Sequence, residues 1–147
     1  VTGNTARNLT VLPLLTEAKD TITVLLALHG TPSLQPLDDI SVDLVLSGVA
    51  VAVAENAATS AVVGRLNATS GNPKAAWTDL GAPDYPSPAE VEQMMAASHP
   101  VEEPVTVRVE AATVGNQAEE GVMTVRGVSV EAYSLVWVRI SGIKMRG

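Results

Sequence analysis

Carboxylates are the most abundant groups in this sequence that can do chemistry, and three adjacent pairs occur among its 16 acidic residues. The pairs are Asp38-Asp39, Glu102-Glu103 and Glu119-Glu120. Acid–base hydrolysis, such as cleavage of a glycosidic bond, needs two carboxyl groups that converge on one bond. Adjacent side chains of a strand point to opposite faces, so these pairs are poor candidates. We interpret them as solvated acids of turns.

Other reactive side chains are few. A metal site would require His29 and His99 to converge with a carboxylate by folding alone. Ser47 and Ser134 have no sequence neighbour that points to a base partner, and no nucleophile elbow or phosphate-binding glycine loop occurs. The chain contains no Cys, which excludes a thiolate zinc site and a cysteine nucleophile. The sequence therefore predicts no catalytic residue, metal or cofactor on this chain.

The composition fits one acidic domain over residues 1–147. Nine Lys and Arg stand against 16 Asp and Glu, which gives a formal net charge of −7. This balance opposes non-specific binding to nucleic acid or to an anionic membrane, because phosphate groups attract basic clusters. The longest apolar stretch, residues 47–54, is too short to span a bilayer. Because the chain begins at Val1 and shows no signal peptide, we expect a processed product or an excerpt.

Alternation of apolar and polar residues dominates the chain and is typical of strands. In one strand, Val42, Leu44 and Leu46 are predicted to face inward and Asp43 outward. Strands at this density, separated by Gly, Pro and Asn, favour an all-β fold. We predict an antiparallel β-sandwich of about seven or eight strands. The predicted strands are 9–15, 21–28, 41–46, 49–54, 61–66, 105–110, 122–130 and 133–140.

One short α-helix is predicted over residues 88–98. Ser87-Pro88-Ala89-Glu90 has the form of a capping box with Pro at the first helical position. Pro100 prevents the helix from continuing. Residues 67–86, which precede the helix, are rich in Gly, Asn, Pro and Asp and are predicted to form a long inserted loop.

Four aromatic side chains are available for binding. Trp77 and Tyr85 lie in the long loop, where they either form a small sugar-stacking platform or pack the loop onto the sandwich, which we favour. Trp137 is predicted to lie in the core. However, residues 24–27 and 135–138 are apolar on both strand faces, so the outer face is covered either by the loop and helix or by another chain.

A motif between residues 64 and 95 resembles part of a known family. It resembles the β-sandwich domain that follows the catalytic barrel in glycoside hydrolase family 39, the family of α-L-iduronidase and β-xylosidase. The resemblance covers residues 20–142, and its flanking strands match in pattern only. The matching residues are Arg65, Asn67, Trp77, Leu80, Gly81, Pro83, Pro86, Ser87, Glu90 and Met94 or Met95.

The resemblance implies an accessory role. The family's two catalytic glutamates lie in the barrel, which this chain lacks, so no residue here inherits a catalytic role and any glycosidase activity would reside in the barrel. The resemblance also implies that a strand from before the barrel completes the sandwich, which would leave one sheet edge open. Residues expected to form an interface or to order the loop are Arg65, Asn67, Trp77, Tyr85 and Trp137.

Two N-x-T triplets, at Asn8 and Asn67, are candidate glycosylation sites if the protein enters a secretory pathway. We accordingly expect a secreted, extracellular or lysosome-like location. Three functions stay open: a non-catalytic sandwich that packs on a barrel-bearing partner chain, a structural component of an extracellular assembly, and a carbohydrate-binding module. The first is our leading hypothesis.

Overall fold

The computed structural model describes residues 9–16, 20–30, 37–49, 60–112 and 120–143. These residues form eight strands and two short helices, which confirms the predicted all-β class. None of the helices in the described residues is long and apolar enough to cross a membrane. The elements in chain order are β1 (Leu9–Leu15), β2 (Thr21–Leu28), β3 (Ile40–Val49), β4 (Ser60–Leu66), α1 (Pro73–Asp79), α2 (Pro88–Ala97), β5 (Glu102–Val105), β6 (Arg108–Ala112), β7 (Glu120–Val130) and β8 (Leu135–Ser141).

The strands form two antiparallel sheets. A five-stranded sheet has the order β1-β2-β8-β4-β5, and a three-stranded sheet has the order β3-β7-β6. In the larger sheet β8 lies between β2 and β4, so the last strand of the chain joins segments that are far apart in sequence. Strand β8 therefore has a hydrogen-bonded neighbour on each side.

The core consists of aliphatic side chains from both sheets. The predicted inward residues of β2 and β3 are confirmed, because every second side chain of β2 is buried and Leu44 and Leu46 are buried while Asp43 is exposed. Burial of side chains of this size typically contributes about 1.5–3 kcal/mol each. The most deeply buried core residues are Val24, Leu26, Val63, Met123, Val125, Val130, Val136, Val138 and Ile140.

The predicted strand over residues 105–110 is wrong as a single element. The first sheet's edge strand β5 ends at Val105, and β6 of the second sheet begins at Arg108. Both Val105 and Val107 pack against the core. The alternation in the sequence is therefore produced by a chain that keeps its apolar side inward while it passes from one sheet to the other.

The predicted loop over residues 67–86 contains a second helix, α1. Asn72 caps this helix by accepting a hydrogen bond from the Lys74 backbone N–H at 3.1 Å, and Pro73 occupies the first turn. The predicted helix is confirmed as α2, with the full capping box between Ser87 and Glu90. The predicted strand 49–54 lies mostly outside the described residues.

Candidate functional site

Trp137 lies on the outer face of the five-stranded sheet and not in the core. Its neighbours Val136 and Val138 are fully buried, so the indole of Trp137 projects to the opposite side of β8, where it is half-buried. The prediction of a core tryptophan is therefore wrong. Residues 135–138 are apolar on both faces of β8. Val136, Val138 and Ile140 share the face that enters the core, so Trp137 lies on the other face.

The Trp137 indole lies against the backbone of Gly64. Register pairs Gly64 of β4 with Trp137 of β8, and a Cβ added to Gly64 would lie 2.1 Å from the Trp137 Cζ2 atom. Only a residue without a side chain leaves room for the ring at this position. The sequence contains both residues, but nothing in their spacing indicated that they meet.

Glu102 binds the polar Nε1–H edge of the Trp137 indole. The Trp137 Nε1–H group donates a hydrogen bond to Glu102 Oε1 at 3.0 Å, and Arg139 forms an ion pair with the same carboxylate. Strand register explains the meeting, because Gly64 is paired with Glu102 on one side and with Trp137 on the other. Sequence reasoning missed Glu102 and Arg139 as partners of Trp137.

Apolar side chains continue from Trp137 across the sheet. Leu12 of β1 pairs with Leu25 of β2, and Leu25 pairs with Trp137, so three large apolar residues form one row across three strands. Leu12 is 50% exposed, and Leu14, on the same face of β1, is 47% exposed. We call the surface formed by Leu12, Leu14, Leu25 and Trp137 the outer face.

Glu102 and Glu103 point to opposite faces of β5, as their adjacency predicted. Glu103 forms an ion pair with Arg65 at 3.2 Å, whereas Glu102 binds Trp137 and Arg139 on the outer face. Both acids therefore lie in a strand and have cationic partners, so their predicted place in a turn is wrong, although both residues are exposed. Among the other pairs, Asp39 accepts a hydrogen bond from the Ala132 N–H at 2.9 Å, and Glu119 lies outside the described residues.

Asn67 organises the turn that follows β4. Its Oδ1 atom accepts hydrogen bonds from the Thr69 N–H at 2.9 Å, the Thr69 hydroxyl at 3.1 Å and the Ser70 N–H at 2.7 Å. Its Nδ2 group donates to Glu131 Oε2 at 2.8 Å, which links the turn to the segment before β8. Asn8, the other candidate glycosylation residue, lies outside the described residues.

Trp77 and Tyr85 have different environments. The half-buried Trp77 donates a hydrogen bond from Nε1 to the Pro83 carbonyl at 3.1 Å, which ties α1 to the turn after it. Tyr85 is 95% exposed. A platform that stacks on a sugar ring needs open aromatic faces, and the bound, half-buried Trp77 fits the loop-packing interpretation better than a shared platform.

The two helices pack against each other and bury none of their own side chains completely. The apolar side chains of α2 lie largely at the surface, since Val91 and Met95 are exposed and Met94 is half-buried. At the start of α2, hydrogen bonds from Ser87 to the Glu90 carboxylate lower the pKa of Glu90. The helical hairpin formed by α1 and α2 therefore depends on its helix caps more than on the burial of side chains.

Within the described part of the chain, no group of three or more His, Cys, Asp and Glu residues is placed to hold a metal ion. His29 Nε2 lies 2.9 Å from the Thr10 hydroxyl, at the end of β2, and His99 is exposed after α2. The two histidines therefore belong to separate parts of the fold.

The family assignment rests on the match of residues 10–114 to the family model described as Glycosyl hydrolases family 39. The chain belongs to this family. No curated protein matches the family 39 chain significantly.

Two solved structures illustrate the size of proteins that the chain resembles. The GH39 enzyme from Xanthomonas axonopodis pv. citri aligns with 13% identity and a TM-score of 0.49, over 89% of this chain and 25% of that chain. A monomeric beta-xylosidase from Caulobacter crescentus CB15 aligns with 13% identity and a TM-score of 0.45, over 83% of this chain and 24% of that chain. The family 39 chain thus spans about a quarter of their length.

Proposed function

We propose that this family 39 chain is a non-catalytic β-sandwich unit that packs on a partner chain through its outer face. The observation that carries the proposal is the apolar row formed by Leu12, Leu25 and Trp137 across three neighbouring strands. The solvated face of an antiparallel sheet normally alternates to polar residues. A contiguous apolar patch rimmed by polar groups is characteristic of an interaction surface.

The distribution of charge around the outer face supports the same role. Glu102 and Arg139 lie at one side of the row, where they form a charged pair beside the indole of Trp137. Interfaces typically have an apolar centre and a polar rim that stays accessible to water. Leu12 and Leu14, about half exposed on the edge strand β1, would lose most of that exposure on docking.

The carboxylates with defined partners support a non-catalytic role. Glu102 binds Arg139, Glu103 binds Arg65, and Glu131 binds Asn67. Glycoside hydrolysis requires two carboxyl groups that flank the scissile bond, one of them free to exchange a proton with it. In our proposal this pair is supplied by a barrel-bearing partner chain, as the family resemblance implies.

We also propose that the protein enters a secretory pathway and functions in an extracellular or lysosome-like compartment. The two N-x-T triplets support this location. Thr69→Ala removes the acceptor triplet at Asn67, whereas Thr69→Ser keeps both the triplet and a hydroxyl that can donate to Asn67. Loss of a glycan from Thr69→Ala alone, seen by mass spectrometry before and after enzymatic deglycosylation, is the expected result. Absence of glycan from both Asn8 and Asn67 in protein from its own source would contradict the proposed location.

The identity of the partner tests the proposed role. The native mass of the protein from its own source, with every co-purifying chain sequenced, should reveal a complex with a chain that carries a barrel and two catalytic glutamates. A complex of copies of this chain, or of other β-domains, would instead favour a structural component of an assembly. Glycosidase turnover by this chain alone, abolished by substitution of one carboxylate, would contradict the non-catalytic assignment.

A further inference from the structure

A second, independent feature lies on the three-stranded sheet, where β6 begins beside β7. A pocket of about 480 Å³ opens there. Its volume is within the range of small-molecule sites. Among the residues whose side chains are described there, two arginines and no acid line the pocket; these lining residues are Val105, Thr106, Arg108, Thr124 and Arg126.

Strand register and a bulge bring the two arginines together. Arg108 of β6 is the register partner of Thr124 of β7, and Arg126 follows Thr124 by two residues on β7. At Arg126 the pairing with β3 shifts, so that Arg126 and Gly127 oppose the single residue Asp43. Gly127 has a φ of +69°, which suits a bulge of this kind.

Among the residues whose side chains the structure describes, neither guanidinium group forms an ion pair. The ion pairs found among the described side chains involve Arg65 and Arg139, which lie on the five-stranded sheet. The Asp43 carboxylate, opposite the bulge, accepts a hydrogen bond from the Gly127 N–H at 2.8 Å and forms no ion pair with Arg126. Two arginines in one pocket are unusual in a chain with a net charge of −7, because like charges that share a site repel each other.

We propose that this pocket binds an oxyanion, such as a phosphate or sulfate group. The planar guanidinium groups of Arg108 and Arg126 present paired N–H donors that match the spacing of oxyanion oxygens. The hydroxyls of Thr106 and Thr124 supply further donors, and Thr124 is only 9% exposed. The anion relieves the repulsion between the two arginines, which gives the site a preference for charged over neutral ligands.

The site is tested by NMR titration of the 147-residue chain, with the side-chain Nε–H signals of arginine as the probe. Inorganic phosphate, glucose 6-phosphate and glucose serve as ligands. The signals of Arg108 and Arg126 should shift with either phosphate compound and not with glucose, while those of Arg65 and Arg139 should stay in place. Tighter binding of glucose 6-phosphate identifies a sugar-borne anion, and equal binding identifies the free ion.

Substitutions separate specific binding from general attraction of anions. Arg108→Gln and Arg126→Gln should each weaken phosphate binding about tenfold or more, since each removes a charge-assisted contact. Arg139→Gln removes the same charge from the other sheet and should leave the affinity unchanged. Titration of the unsubstituted chain decides the matter if a variant fails to fold. Unshifted Arg108 and Arg126 signals, or an equal loss of affinity with Arg139→Gln, would overturn the proposal.

Discussion

The indole ring of Trp137 occupies the space that a side chain would need at Gly64 on the neighbouring strand. A Cβ at Gly64 would lie 2.1 Å from Cζ2 and 2.2 Å from Cε2 of the ring. The ring is held in this place by its hydrogen bond to Glu102. The outer face is therefore a packed surface with a defined shape, which is a property that a docking surface requires.

Substitution of Gly64→Ala should destabilise the fold through this contact. The added methyl group must displace the Trp137 ring, and overpacking of this kind typically costs about 1–3 kcal/mol. The free energy of unfolding, measured with urea, gives the cost. In a Trp137→Leu background the same substitution should cost less, because the ring is gone. An equal cost in both backgrounds would show that the ring is not the cause.

Glu102 should contribute through two separable interactions. Glu102→Gln removes the ion pair with Arg139 but retains an oxygen that can accept the Trp137 hydrogen bond, so the expected loss is within about 1 kcal/mol. Glu102→Ala removes both interactions and should cost more. Urea denaturation measures both losses, and the Nε1–H signal of Trp137 reports the hydrogen bond. A Trp137 signal that is unchanged in Glu102→Ala would contradict the assigned contact.

Asn67 should be important for stability in the absence of any glycan. Asn67→Ala removes three hydrogen bonds within the turn and the bond to Glu131, and we expect a loss of about 1–3 kcal/mol. Unglycosylated protein from a bacterial host isolates this effect. Thr69→Val, which removes only the hydroxyl bond to Asn67, is the matched control and should cost less. A negligible loss with Asn67→Ala would mean that the turn holds its shape by backbone contacts alone.

The capping box of α2 should make the helical hairpin sensitive to acid. The hydrogen bond from Ser87 lowers the pKa of Glu90, so the ionised carboxylate stabilises the folded helix. This contribution is present above about pH 4.5, the ordinary value for Glu90, and is lost as the pH falls through the lowered folded-state value. Because α2 buries no side chain, the effect should be local.

Amide hydrogen exchange across α2 as a function of pH measures this sensitivity. In the unsubstituted chain, protection of the α2 amides should decrease when the pH falls below the ordinary pKa of Glu90, after correction for intrinsic exchange rates. Glu90→Gln should remove most of the pH dependence, and Ser87→Ala, which deletes the hydroxyl cap, should lower protection at every pH by about 1 kcal/mol. A pH profile of the same shape in Glu90→Gln would assign the titration to another group.

The elements of the fold follow from local sequence patterns. Alternation in β2 and β3 predicts both the strands and their inward residues, because polar residues such as Thr23 and Asp43 mark the outward face even though Leu25 also lies on it. The capping box predicts the start of α2 because its whole sequence signal lies within four residues. Asn72 and Pro73 carried a comparable signal for α1, but the Gly and Pro residues around them favoured a loop.

The candidate site depends on relationships that no local pattern contains. Trp137 lies in a run that is apolar on both faces, so only the pairing of β8 with β2 and β4 decides its side. Glu102 meets Trp137 because both are in register with Gly64, across 35 residues of sequence. The alternation through Val105 and Val107 likewise conceals a change of sheet, since both residues face one core.

The outer face is tested most directly by a matched pair of substitutions in the complex purified from the natural source. Leu12 on the outer face is 50% exposed, and Val45 on the other sheet is 45% exposed. Introduced by genome editing, Leu12→Asp should release the chain from its partner, whereas Val45→Asp should leave the native mass of the complex unchanged. A complex that survives Leu12→Asp, or a chain that is monomeric before any substitution, would contradict the proposed role.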